Sequence, residues 1–217
     1  MRTWSSFDAV LFDVDGTLID SNGAHATAWC RALREHGIAV DLDDVRHLIG
    51  MGSDKLLDRL AAVREDSNRA RVFTRRKKEI FGTLLRELRP TPGARALVEA
   101  LRAHGITLVI ATSADDQEMD ALLAQAGLDD LFPRRTSSDD AEHSKPDPDI
   151  VEAALRKAGT DPSRTVMIGD TPYDIEAARR AGIDCIALRC GGHWSEASLR
   201  GAIAVYDHPA ELLDALR

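Results

Sequence analysis

Short apolar runs recur along the chain, and each is hydrophobic nearly throughout instead of alternating with polar residues. They lie at Ala9–Phe12, Ile106–Ala111, Thr165–Ile168, Cys185–Leu188 and Ala202–Val205. Runs of this kind are typical of parallel strands that are buried on both faces of a sheet. The pattern therefore predicts a parallel β-sheet.

Helical segments with well-defined ends lie between several of these runs. The sequence predicts helices at about 93–104, 148–159 and 171–182, because a proline stands near each start and a glycine near each end. Alternation of strand and helix implies right-handed crossovers between parallel strands. The predicted fold is α/β: a doubly wound, Rossmann-like parallel sheet with helices on both faces.

One long segment breaks this alternation, since no convincing strand is found between residues 22 and 89. Its apolar residues fall on helical faces instead. One face contains Ala28, Trp29, Ala32 and Leu33, and another contains Phe73, Ile80, Phe81, Leu84, Leu85 and Leu88. We predict a small all-helical cap domain at 21–89, placed over the carboxyl edge of a catalytic core formed by 1–20 and 90–217.

Composition and charge restrict the possible partners. The content of 44% hydrophobic and 29% charged residues is typical of a globular protein, and the net charge of −8 disfavours nucleic acid and anionic membranes. No apolar run approaches the length that spans a bilayer, and the three cysteines lack metal-ligand spacing. We therefore predict a cytoplasmic enzyme, in which the basic cluster at 75–78 lies on the solvated side of a cap helix.

Residues with reactive or ligating side chains stand where the predicted strands end. In chain order they are Asp13 and Asp15, Thr112 and Ser113, Lys145 in a loop before a helix, and Asp170 with Asp174. Doubly wound proteins bind their ligands at the carboxyl ends of the strands. These residues are therefore the candidates for a catalytic site.

The sequence DVDGTLID at 13–20 resembles the first motif, DxDGTLxD, of the haloacid dehalogenase superfamily. Thr112 at the end of an apolar run, Lys145 in SKPDP and GDTPYD at 169–174 are similar to its other three motifs, in the same order. The resemblance covers nearly the whole chain. It implies the helical-cap branch that contains phosphoglycolate phosphatases and β-phosphoglucomutases.

The chemistry of the first motif supports the same function. The Asp13 carboxylate is expected to attack phosphorus and to carry the phosphoryl group as an aspartyl-phosphate. Asp15 is expected to protonate the leaving oxygen and later to deprotonate the attacking water. Gly16 allows a sharp turn after the strand, and the Thr17 hydroxyl is expected to hold Asp15 in place.

Several acids close to a phosphate dianion would repel it, which makes Mg²⁺, a hard dication with oxygen ligands, the expected cofactor. The resemblance implies that Asp13, the backbone carbonyl of Asp15 and Asp170 hold this metal. Asp174 is expected either to join the metal site or to stabilise the start of the helix that Thr171 caps.

Other residues are expected to bind the phosphoryl group. Lys145 would place a positive charge beside the nucleophile, and Thr112 with backbone N–H groups would bind phosphate oxygens. Ser113 either contacts the phosphate or is only a turn residue.

The cap is expected to select the substrate. His25 either binds substrate or packs within its helix. The glycine-containing loop at 50–55 either reaches the site, where Lys55 would meet a second anionic group, or is a plain turn between helices.

We predict a Mg²⁺-dependent phosphatase that hydrolyses a small phosphorylated metabolite, as a monomer or homodimer. A phosphosugar mutase is the alternative, although β-phosphoglucomutases usually carry an arginine near the position of Ser53 and a glutamate at that of Gly169. A non-catalytic regulatory protein with the same fold is a further alternative. Asp15 argues against dehalogenase chemistry, in which no oxygen leaving group needs a proton.

Overall fold

Six parallel strands form a sheet in the order β3-β2-β1-β4-β5-β6 in the computed structural model, which describes residues 4–64 and 66–216. The strands are β1 Ala9–Phe12, β2 Thr107–Ala111, β3 Arg135–Thr136, β4 Thr165–Gly169, β5 Asp184–Leu188 and β6 Ala204–Tyr206. Every predicted apolar run coincides or overlaps with a strand. Only β3 was not predicted, because its two polar residues are too few to form an apolar run.

β1 lies in the centre of the sheet, between β2 and β4. Phe12, its last residue, is level with Ile110 of β2 and with Ile168 of β4. The carboxyl ends of these three strands therefore meet at one edge. Because the strand order changes direction at β1, this edge is the crevice in which doubly wound proteins bind ligands.

Helices cover both faces of the sheet. Successive side chains of a strand point to opposite faces, so a strand that is apolar throughout presents apolar surface on both. Val10 and Phe12 pack into one hydrophobic cluster, and Ala9 and Leu11 pack into a second cluster on the other face. The first face is covered by α5 Ala94–Ala103, α6 Asp116–Ala126 and α9 Pro209–Asp214, and the second by α7 Asp149–Ala158 and α8 Pro172–Arg180. The predicted doubly wound α/β fold is confirmed.

Four α-helices of the described chain lie between β1 and α5: α1 Asn22–Glu35, α2 Leu42–Arg46, α3 Ser53–Ala61 and α4 Asn68–Leu84. They share a hydrophobic cluster of their own, in which Trp29 and Phe73 are the largest side chains. The helical character of this segment agrees with the sequence pattern. The division into a cap at 21–89 and a core at 1–20 and 90–217 stays a prediction.

The basic cluster at 75–78 differs from its prediction at one position. Lys77 is only 6% exposed, and its ammonium group lies 2.8 Å from a carboxylate oxygen of Glu118 in α6. Helical spacing puts Lys77 on the same side of α4 as the buried residues Phe73 and Phe81. The expectation of a fully solvated cluster is therefore wrong for Lys77.

Membrane-spanning helices and disulfides are both missing from the described ranges. None of the helices there combines the length and the apolar composition that crossing a bilayer requires. The three cysteines are free thiols. The cytoplasmic location stays a prediction.

Candidate active site

β1 is followed by a tight turn that requires glycine at position 16. Gly16 has a φ of +77°, in the left-handed region that other residues rarely adopt. A Cβ atom there would also lie 2.2 Å from Oδ2 of Asp170. The turn thus brings the backbone after β1 close to the side chain that follows β4.

Asp13 follows β1 directly and is 3% exposed. Its Oδ1 accepts a hydrogen bond of 2.6 Å from the ammonium group of the fully buried Lys145. That ammonium group also donates to Asp174 Oδ1 at 2.7 Å and to the Ala111 carbonyl at 3.1 Å, so all three of its N–H groups have acceptors. Burial lowers the pKa of Lys145, but Asp13 and Asp174 outweigh this effect and raise the pKa above its usual value.

Asp13, Asp170 and Asp174 form a cluster of buried carboxylates, called the acid cluster below, with one oxygen of each within 4.8 Å of the others. Burial and the neighbouring carboxylates raise the pKa of Asp13 to about 7 and that of Asp170 well above its usual value, although Lys145 opposes both shifts. Three carboxylates and one ammonium group leave an excess of negative charge when all are ionised. A divalent cation that prefers oxygen ligands, such as Mg²⁺, fits both this charge and these donor atoms.

Two residues outside the four motifs surround Asp170. The Asn22 side-chain amide donates to Asp170 Oδ2 at 2.8 Å, and a Cβ atom at Gly191 would lie 1.7 Å from the same oxygen. The side-chain oxygen of Asn22 is buried and has no hydrogen-bond partner among the described residues. Sequence reasoning missed both residues, because neither stands at the end of an apolar run.

Thr17 does not hold Asp15 as the sequence suggested. Its hydroxyl lies 3.1 Å from Asp13 Oδ2 and 3.3 Å from Asp170 Oδ1, and so binds the acid cluster. The prediction is wrong because the turn at Gly16 returns the chain toward the end of β1. The Ser21 hydroxyl donates to Asp15 instead.

Asp174 stabilises the start of α8, which is one of the two roles that the sequence left open. Its Oδ2 accepts a hydrogen bond of 3.1 Å from the Thr171 backbone N–H, and the Thr171 hydroxyl accepts one of 3.2 Å from the Asp174 N–H. This capping box stabilises the start of α8. The other carboxylate oxygen of Asp174 accepts a hydrogen bond from Lys145 within the acid cluster. A direct bond from Asp174 to a metal stays a prediction.

The Asp15 carboxylate binds α1 and is not a member of the acid cluster. Its Oδ1 lies 2.8 Å from Nε2 of His25 and also accepts from Ser21. Burial raises the pKa of Asp15, but His25, Ser21 and Lys77 outweigh it and lower the pKa to about 2. Asp15 is therefore ionised at neutral pH in this arrangement, and the metal contact of its backbone carbonyl stays a prediction.

A cavity of about 100 Å³ opens at Asp13, between the edge of the sheet and the helices α1–α4. Its lining is Asp13, Asp15, His25, Trp29, Ile49, Gly50, Met51, Ser53, Leu56, Thr74, Lys77, Lys78, Thr112, Ser113, Ala114, Asp115, Glu118 and Ser138. The Thr112 hydroxyl accepts a hydrogen bond of 3.1 Å from the Ala114 N–H, and the Ser113 hydroxyl donates to the Gly50 carbonyl at 3.3 Å. Both residues thus stand at the cavity, where their phosphate contacts stay predictions.

The helical side of the cavity contains His25 and part of the loop at 50–55. His25 stacks on Phe81 with a distance of 4.0 Å between ring centroids, so it packs within the helices and also reaches Asp15. Gly50, Met51 and Ser53 line the cavity, which is one of the two alternatives that the sequence left open, but Lys55, in the first turn of α3, does not. Instead, Lys55 donates to the Asp147 carboxylate at 2.7 Å, on the core side.

A doubly wound sheet with carboxylates at the end of its central strand, and a buried lysine from another loop beside them, is the architecture of an α/β enzyme with its site at the change of strand order. A family model for haloacid dehalogenase-like hydrolases matches residues 7–182. The chain belongs to this family, as its motifs predicted.

Relatives of known activity cover most of the chain. A phosphoglycolate phosphatase from Agrobacterium fabrum is 33% identical over 190 residues, which cover 83% of this chain and 80% of that protein. A phosphorylated carbohydrates phosphatase from Thermotoga maritima is 30% identical over 219 residues, which cover 97% of this chain and 98% of that protein. The crystal structure of a hydrolase from Pseudomonas syringae superposes with a TM-score of 0.90 at 30% identity, covering 99% of this chain and 98% of that one. The protein is thus an enzyme, a phosphoric monoester hydrolase of the haloacid dehalogenase-like family.

Proposed function

We propose that the protein hydrolyses the phosphomonoester of a small metabolite in a Mg²⁺-dependent reaction, through an aspartyl-phosphate on Asp13. The observation that carries this proposal is the position of the Asp13 carboxylate. It lies at the cavity, beside a buried ammonium group and within a cluster of carboxylates that suits a divalent cation. This arrangement supports Asp13 as the nucleophile, with a positive charge and a candidate metal site beside it.

Asp13 and Asp170, together with the backbone carbonyl of Asp15, would hold the Mg²⁺, and Asp174 is close enough to join them. When bound, this ion neutralises negative charge on the phosphoryl oxygens and on the nucleophile. Lys145 remains hydrogen bonded to Asp13 and orients the carboxylate toward phosphorus. Thr112 and the N–H groups that follow β2 bind phosphoryl oxygens as charge develops on them.

The reaction has two steps at phosphorus. An oxygen of Asp13 forms a bond to phosphorus while the ester bond breaks, and Asp15 gives its proton to the leaving oxygen. Water then attacks phosphorus, Asp15 takes the water's proton, and phosphate leaves Asp13. The approach of the phosphate dianion raises the pKa of Asp15 from the low value that it has beside His25, which lets it carry the proton.

The direct test uses p-nitrophenyl phosphate, whose leaving group needs no protonation. Asp13→Asn is expected to lower phosphate release roughly 10³-fold or more, while Asp8→Asn, an exposed acid before β1, leaves it unchanged. Asp15→Asn should accumulate phosphoprotein detectable by mass spectrometry, and the double variant with Asp13→Asn should show none. Full activity in Asp13→Asn, or activity indifferent to EDTA, would overturn the proposal.

The cavity disfavours the mutase alternative. Ser53 lines it near the position at which the mutases usually carry an arginine, and no arginine is among its described lining residues. A mutase must hold a second phosphate while the first is transferred, which requires such a cation. Conversion of a β-hexose 1-phosphate to its 6-phosphate without release of phosphate would instead establish the mutase.

A further inference from the structure

We propose that the part of the substrate enclosed in the cavity is an uncharged, polyhydroxylated group, such as a sugar or polyol, and not a small carboxylate such as glycolate. This inference rests on the proposed phosphatase function and concerns the leaving group of the same reaction. It comes from the pairing of charges on the wall of the cavity opposite Asp13.

Lys77 already uses two of its three N–H groups, and its charge is balanced by Glu118. Its ammonium group donates to both oxygens of Glu118, at 2.9 and 2.8 Å, and lies 4.9 Å from the centre of the Phe81 ring. The lysine and glutamate side chains are 7% and 11% exposed, so water screens their attraction little. Breaking this pair would leave a nearly buried carboxylate without its cation.

Lys78 is also paired, with Asp115, although its side chain is 43% exposed and the pair is better screened by water. Asp115 is also the N-cap of α6, because its Oδ1 accepts a hydrogen bond of 3.0 Å from the Glu118 N–H. His25 lies against Asp15, so a protonated His25 is matched by that carboxylate. Each basic side chain among the described lining residues therefore already faces an acid.

Two further basic residues, Arg71 and Arg75, lie outside this cavity. They line a neighbouring groove with Ser53, Thr74 and Lys78. We expect the carboxylate of a leaving group as short as glycolate to stay beside the nucleophile. There it would meet lysines that are already paired with Glu118 and Asp115, so its burial would gain no free cation.

Hydroxyl groups suit the same wall without breaking either ion pair. A hydroxyl can donate to a free lone pair of Glu118 or Asp115 and accept from a serine or threonine hydroxyl. Ser53, Thr74 and Ser138 add such groups to the lining. The ring of Trp29 and the side chains of Ile49 and Met51 give apolar surface for the C–H groups of a sugar or polyol.

The test compares substrates that differ only by a carboxylate in place of a hydroxymethyl group. The pairs are 2-phosphoglycolate with 2-hydroxyethyl phosphate, and 3-phosphoglycerate with glycerol 3-phosphate. We expect kcat/KM to favour the alcohol of each pair by about tenfold or more. Equal or faster hydrolysis of the carboxylates would overturn this inference and leave the phosphatase proposal intact, whereas no release from p-nitrophenyl phosphate would overturn both.

Replacing Asp115 by an uncharged residue of similar shape tests the cause of the preference. Asp115→Asn keeps an N-cap oxygen for α6 but frees Lys78, so the alcohol-to-carboxylate ratio of kcat/KM should fall about fivefold or more. Asp116→Asn removes the same charge at the next position, which is exposed and outside the cavity, and should leave the ratio unchanged. An unchanged ratio in Asp115→Asn would contradict the inference.

Discussion

The two walls of the cavity differ in the balance between acidic and basic side chains. On the wall formed by the edge of the sheet, three carboxylates surround one ammonium group. On the opposite wall, Lys77 and Lys78 of α4 each face one carboxylate of α6. The excess negative charge at the sheet edge suits a divalent cation, which would in turn bind the phosphoryl group, whereas balanced charge suits an uncharged leaving group. The edge of the sheet would thus carry out the reaction, and the opposite wall would select the substrate.

The walls also differ in how they are held. The acid cluster follows β1 and β4, whose register is set by backbone hydrogen bonds in the centre of the sheet. The opposite wall depends on ion pairs between a helix before β2 and a helix after it. Changes at the sheet edge should therefore lower turnover, and changes at the opposite wall should mainly alter substrate affinity.

Of three changes that test this difference between the walls, Lys145→Met should have the largest effect, because it removes the cation that binds both Asp13 and Asp174. We expect kcat to fall roughly 10²- to 10³-fold and the free energy of unfolding to fall by about 3–5 kcal/mol, since buried carboxylates lose their partner. Activity assays and urea unfolding would measure both. Lys157→Met, at an exposed lysine of α7, is the control, and equal behaviour of the two variants would refute the assigned role.

Asp170→Asn should weaken metal binding while keeping the shape of the side chain. The Mg²⁺ concentration that gives half-maximal activity should rise at least about tenfold, because a charged oxygen ligand is lost. Titration of activity with Mg²⁺ after EDTA treatment would show this. Asp115→Asn on the opposite wall should not change the Mg²⁺ requirement, and a shift there as large as in Asp170→Asn would remove the distinction between the walls.

Lys77→Met should have the smallest effect of the three. The methionine keeps apolar contact with Trp29 and Phe81 but leaves Glu118 unpaired, so the free energy of unfolding should fall by about 2 kcal/mol and KM should rise. Adding Glu118→Met should restore most of the stability, since an apolar pair can replace a buried ion pair. Arg75→Met, on the exposed side of α4, is the control. A larger fall in kcat than rise in KM would contradict a role limited to substrate binding.

Local patterns were sufficient for the sheet but not for every contact at its edge. Apolar runs predict β1, β2, β4, β5 and, by overlap, β6, while the short polar β3 has no such signal. Thr17 is paired with Asp15 by proximity in the chain. The turn at Gly16 puts it beside Asp13 and Asp170 instead, a result that depends on how two distant strands align.

The family and the candidate reactive residues Asp13, Asp15, Lys145 and Asp170 follow from the sequence alone, because four short motifs stand in the order that the family has. The doubly wound sheet follows from the alternation of apolar runs and helices, and Asp13 and Asp170 are expected to meet because they follow strands that such a sheet places side by side. The folded structure was needed to show that Lys77 is buried against Glu118, that Asn22 and Gly191 surround Asp170, and that His25 reaches Asp15. Those contacts depend on how α1, α4, α6 and the segment after β5 pack against the sheet edge and one another, and no local pattern in the sequence encodes that packing.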